Sequence, residues 1–160
     1  MQNALQHDPV HVGKDGWLFL VAGSNSVIEL YQKQSSFTPK LVQEWVSLLR
    51  GRQNKLEKRG IQYLFLPAPE KLTVLHQYYD GKITNIQGSP IHKLANNHAK
   101  QIPCVVNVLP AFAQKADTVQ PYWKTDTHWS FPGCFVAYER LCARMGIPSR
   151  PELLQSPLYV

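Results

Sequence analysis

The 160-residue chain is 44% hydrophobic, enough to bury one sizeable core and too short for two ordinary domains, so a single domain over 1–160 is expected. Charged residues at 18% and aromatics at 11% exclude a disordered chain. The net charge of +6 favours a polyanionic partner, whether nucleic acid, an anionic membrane surface or an acidic polysaccharide, without choosing among them.

The start, Met1-Gln2-Asn3-Ala4-Leu5-Gln6-His7-Asp8, is too polar for a signal peptide. No run approaches the roughly 20 apolar residues of a membrane span, so the chain as written is expected to hold neither leader nor anchor. Lys14-Asp15-Gly16 then offers a tight turn, and Trp17-Leu18-Phe19-Leu20 after it reads as a strand, together a small hairpin.

From Thr38-Pro39 the pattern turns helical, with Thr38 as cap, Pro39 in the first turn, and Leu41, Val42, Trp45, Leu48, Leu49 and Leu56 at three-to-four spacing. Gly60 closes this helix in the left-handed conformation. Arg50, Arg52, Lys55, Lys58 and Arg59 read as its solvated face. With no aromatic interleaving, zinc-finger spacing or RNA-recognition motif beside them, nucleic acid is disfavoured.

Ile61-Gln62-Tyr63-Leu64-Phe65-Leu66 follows as a strand covered on both faces, ended by Pro67-Ala68-Pro69. The segment from Gln77 to Pro90, with Gly81 and Gly88, reads as an exposed polar loop. A second helix is expected over Ile91 to Lys100 and a second buried strand over Cys104 to Leu109. Helix and buried strand in alternation predict an α/β fold with a three-layer parallel sheet.

Ser130-Phe131-Pro132-Gly133 opens a last helix that runs to Gly146-Ile147-Pro148, with Ser130 as its cap. The tail from Pro151 to Val160 reads as an element begun and not finished, so the fold is expected to be incomplete at the C-terminus. Cys104, Cys134 and Cys142 are odd in number and lack metal-finger spacing, and are read as small buried hydrophobes. Cys134 and Cys142 lie eight residues apart on one helix, too far for a disulfide between them.

The densest chemical signal is Tyr122-Trp123-Lys124-Thr125-Asp126-Thr127-His128-Trp129-Ser130. In an extended segment residues i and i+2 face the same side. Asp126 can then hold one ring nitrogen of His128 while the other takes a proton, two-thirds of a nucleophilic triad. The triplet alone is more often structural than catalytic. His7, His11, His76, His92 and His98 show no ligand spacing, so no metal and no cofactor are expected.

Three motifs occur in order: Gly13-Lys14-Asp15-Gly16-Trp17-Leu18-Phe19, Leu66-Pro67-Ala68-Pro69-Glu70-Lys71, and Tyr122-Trp123-Lys124-Thr125-Asp126-Thr127-His128-Trp129 before a helix containing Gly133. Together they resemble the SGNH-hydrolase-like domain of the AlgX/AlgJ alginate O-acetyltransferases over about residues 11 to 145. That resemblance implies a periplasmic enzyme that moves acetyl groups onto exopolysaccharide hydroxyls through a Ser-His-Asp triad, with His128 as general base and Asp126 orienting it. It also implies an acidic polysaccharide as partner, together with an acetyl donor or a membrane-bound acetyl-transfer partner. Lys71, Trp129 and Tyr122 are then the expected substrate contacts.

The family's nucleophilic serine lies on a Gly-Asp-Ser-like turn after the Asp-x-His-Trp motif, and none of the serines present follows Gly-Asp. Ser130 is nearest to His128 in sequence and is read as a cap rather than a nucleophile. Water in place of the sugar as acceptor would make the same chemistry a carbohydrate acetyl esterase, and without the triad's third member the scaffold also supports a non-catalytic polysaccharide-binding or assembly protein.

Overall fold

The computed structural model describes residues 9–22, 26–115 and 118–155. The expectations for Met1 to Asp8 and for the last five residues lie outside them. The hairpin forms as the turn residues predict: β1 (Val10–Val12) and β2 (Leu18–Leu20) pair antiparallel with His11 opposite Phe19. Asp15 and Gly16 both take positive φ in the turn between them, where a short polar side chain and a glycine are tolerated best.

Helix α1 (Pro39–Glu57) begins where Thr38 Oγ1 accepts the Leu41 amide at 3.2 Å, a side-chain cap on an otherwise unpaired donor. It buries Val42, Val46 and Leu49, spaced four and three residues apart on one helical stripe. Arg50, Arg52, Lys55, Lys58 and Arg59 all lie exposed on the other side. Gly60 follows at φ 69°, the left-handed stop expected of it.

The two buried runs do meet, but as less than a sheet. Phe65 N donates to Cys104 O at 2.9 Å and Val106 N to Phe65 O at 2.8 Å, forming one parallel bridge between Phe65 and Val105. Ile61 is exposed and residues 63–66 are half-buried, so the first run is not covered on both faces. Among the described residues no further strand flanks the pair. Parallel ladders persist mainly in sheets with both faces covered, and here the expected three-layer sheet is reduced to this bridge. The second run stops early because Asn107 Oδ1 accepts the Leu109 amide at 3.0 Å, which starts α3 (Leu109–Gln114).

Two other expectations change. The helix over Ile91 to Lys100 is a single wide turn, His92–Asn96, closed by Asn97 N donating to His92 O, and Asn96-Asn97 are poor residues for prolonging it. The segment from Gln77 to Pro90 is not a free loop. Its Thr84 and Asn85 amides both donate to Tyr31 O, at 3.1 and 3.0 Å, and Gly88 and Ser89 are buried.

The core has two parts. One gathers α1, the Ile91–Ala95 turn, the run around Val105, α3 and α4 (Phe131–Met145); the other gathers Trp17, Phe19, Val27, Tyr31, Leu72, Leu75 and Tyr122. The short helix α2 (Lys71–Val74) supplies Leu72 to the second part, and Trp129 packs against both. Cys104 and Cys142 are buried as expected, whereas Cys134 is exposed. It falls beside the Gly133, Val136 and Ala137 stripe that α4 turns inward.

Candidate active site

Residues 121–130 form a closed loop before α4. Tyr122 and Trp129 face each other across an antiparallel bridge, Ser130 N donates to Pro121 O at 3.0 Å, and Trp123 N to His128 O at 3.3 Å. Ser130 Oγ accepts the Gly133 amide at 3.1 Å and donates to Gln120 O. Both roles of the hydroxyl are engaged at the helix start, and Ser130 is the cap the sequence predicts. Gly133 is the residue that lets helix and loop touch, since a Cβ there would lie 2.2 Å from Pro121 O.

Within this loop Asp126 Oδ1 accepts two hydrogen bonds from His128, one from its backbone N at 2.9 Å and one from Nδ1 at 2.7 Å. The pair is made by bends rather than by the extended segment expected. The carboxylate folds back onto the chain two residues on, as in an Asx turn, and the same oxygen takes the ring. Those backbone and side-chain bonds hold the Asp126 carboxyl below its ordinary range. An ionised acceptor at Nδ1 fixes the proton there and leaves Nε2 as the basic nitrogen. The side chains are open, 52% exposed for Asp126 and 84% for His128.

His128 lines a cleft of about 400 Å³ whose wall includes Leu20, Glu70, Tyr122, Thr127, Trp129 and Cys134. Trp129 is half-buried, its Nε1 donating to Tyr122 Oη at 2.8 Å. The Tyr122 hydroxyl in turn donates to Pro69 O. Tyr122 is buried, with its hydroxyl raised mainly by burial and partly lowered by the Trp129 bond. The residue is only 1% exposed and its polar end is already engaged, so Tyr122, expected as a substrate contact, braces Trp129 from behind instead of meeting a ligand. A larger cavity of about 580 Å³ lies elsewhere, beside His76 and His92, and includes neither Asp126 nor His128.

Lys71 corrects an expectation. Expected as a substrate contact, it is 3% exposed, and its Nζ donates to the carbonyls of Leu18, Trp123, Lys124 and Asp126 at 2.7, 2.8, 2.9 and 3.1 Å. An ammonium has three protons, so none is left for a ligand. Burial pulls Lys71 down to about 8, against the Asp126 charge.

Two cleft residues escape sequence reading. Glu70 is half-buried, and burial raises its carboxyl; only its place one residue before Lys71 hinted at it. Cys134 was readable from helical phase, being off the inward stripe of α4. A thiol reagent is therefore expected to label Cys134 in the native protein and Cys104 and Cys142 only on unfolding, as peptide mapping would show. Burial raises the Cys134 thiol, and the thiolate is the reacting form, so labelling should keep accelerating above the ordinary thiol range of about 8.5. Equal native labelling of all three cysteines would contradict this packing. Among the described residues no group of three or more His, Cys, Asp or Glu is placed to hold a metal ion.

The profile of one protein family, the SGNH hydrolase-like domain of acetyltransferase AlgX, matches residues 10–157. The chain belongs to this family. Among curated relatives of this SGNH-like family, the probable alginate O-acetylase AlgJ of Pseudomonas aeruginosa PAO1 is 29% identical over 142 residues, 85% of this chain and 33% of the relative. Its counterpart in Pseudomonas putida KT2440 is 28% identical over 146 residues, 91% of this chain and 35% of the relative. The chain thus spans about a third of the length of these proteins. The solved O-acetyltransferase domain of Pseudomonas putida AlgJ superposes with a TM-score of 0.63 at 25% identity, covering 90% of this chain and 51% of that one. The SGNH hydrolase-like fold read from the motifs is therefore shared, even though few regular strands form among the described residues.

Proposed function

We propose that this chain supplies the Asp-His part of an O-acetyltransferase site acting on hydroxyls of an alginate-like acidic polysaccharide. The observation that carries the reading is the 2.7 Å bond from His128 Nδ1 to Asp126 Oδ1 at the edge of a cleft walled by Trp129. Family membership supports the acyl-transfer chemistry, and the named relatives support alginate as the kind of acceptor.

In this scheme His128 Nε2 removes the proton from an attacking hydroxyl as its oxygen bonds to the acetyl carbon. Asp126 stabilises the imidazolium that results, and His128 returns the proton to the departing oxygen. A serine nucleophile splits the transfer into two such steps, acetyl first onto serine and then onto the sugar hydroxyl. Trp129 forms the wall against which acetyl group or sugar packs. The domain over 1–160 is read as part of a larger α/β unit. The acetyl donor, or a membrane-bound partner that delivers acetyl, meets it in the periplasm. Among the described residues no helix is long and apolar enough to cross a membrane.

The test is to incubate the full-length protein with an acetyl ester donor and oligouronate acceptors and to look for acetylated oligosaccharide by mass spectrometry. Acetylated product supports the proposal. Release of free acetate alone would make the protein an esterase, and oligouronate binding without turnover would make it a binding or assembly protein.

A further inference from the structure

The backbone that carries Asp126 and His128 is a run of turns and bends, closed by its own Trp123–His128 and Asp126–His128 bonds and placed against the rest of the fold by what holds it from outside. Of the four carbonyl oxygens around Lys71 Nζ, three belong to that run, those of Trp123, Lys124 and Asp126. The fourth, Leu18 O at 2.7 Å, belongs to β2. Leu18 N donates to Lys124 O at 2.9 Å, so hairpin and loop also touch directly at this point. Nζ further lies 4.9 Å from the Trp17 ring centroid and 5.4 Å from that of Phe19, both buried.

Carbonyl oxygens repel one another, and four of them converge here only because a cation sits between them. A compact ammonium suits this better than a guanidinium, whose protons lie in one plane and reach outward in a fixed fork. The attachment is also close to the chemistry, because the same residue whose carbonyl binds Lys71 uses its carboxylate to hold the His128 ring.

We infer that Lys71 is a positioning residue: its ammonium gathers the carbonyls of Trp123, Lys124 and Asp126 onto β2 and so sets the backbone from which Asp126 reaches His128. Its bearing on activity rests on the acyl-transfer reading above. The geometry it controls can be measured without any substrate.

The experiment compares the full chain with its Lys71→Met and Lys71→Arg variants by NMR of His128. The ring nitrogen shifts are read through the non-exchanging ring protons, and amide and methyl spectra report the fold. In the parent protein the neutral ring should show a single Nδ1–H tautomer. Lys71→Met keeps length and loses charge, and is expected to lose that preference while the methyl signals of Val46 and Leu49 stay in place. Lys71→Arg keeps the charge with the wrong shape and is expected to restore the tautomer only in part.

A parent-like tautomer in folded Lys71→Met overturns the inference. Should Lys71→Met fail to fold, Lys71→Arg decides, and a parent-like ring there overturns it equally. Failure of both variants to fold would place Lys71 in the cohesion of the core rather than in the setting of the loop, and would overturn it too. A disturbed tautomer in a protein that never transfers acetyl would instead sink the functional reading and leave this inference standing.

Discussion

Replacing Asp126 by Asn, or His128 by Ala, is expected to lower kcat for acetyl transfer by about three to four orders of magnitude, which is about 4–5 kcal/mol of lost transition-state stabilisation. Asn at 126 offers an amide where Nδ1–H now meets a carboxylate. The ring can then turn to its other tautomer, and the imidazolium loses its counter-charge. Because the pair acts on charge that develops only during reaction, KM should change little. Both side chains are substantially exposed, so thermal stability should hardly move. Steady-state kinetics on the full-length protein, beside a melting curve, separates these effects. An Asp126→Asn enzyme with near-parental kcat would remove the pair from the mechanism.

Tyr122→Phe is expected to cost about 2–6 kcal/mol of stability, because two groups are left without a partner and each such group costs about 1–3 kcal/mol. The hydroxyl donates to Pro69 O and accepts from Trp129 Nε1, at a residue only 1% exposed. Phenylalanine fills the same ring volume, so the loss isolates the hydroxyl. It should appear as a lower midpoint of denaturant unfolding at unchanged m-value. An unmoved midpoint would mean that water or a rearranged Trp129 replaces both bonds.

Short-range signals were read well and long-range ones less so. Thr38, Pro39, Gly60, Ser130 and the Lys14–Gly16 turn act through neighbours within a few residues, and the helices and hairpin they bound stand where the residues place them. The sheet was over-read because an apolar run such as 61–66 fixes what a strand needs to bury and not whether a partner lies beside it. Asp126 and His128 were legible as a pair because their bond is local, although the backbone reaches it through bends. Lys71 was misread for the opposite reason. Its environment is assembled from Leu18 and from residues more than 50 positions away, and no pattern around residue 71 reports four distant carbonyls.

Trp129 packs on both halves of the core and also forms part of the cleft wall. The indole is therefore a keystone of the core as well as part of the cleft wall. A molecule that binds the native cleft stabilises the native state by mass action, to a degree set by its concentration relative to its dissociation constant. The converse also holds, since any change that loosens the seam weakens the grip on whatever occupies the cleft. A substitution at Trp129 therefore disturbs the packing of both halves of the core and the cleft wall together.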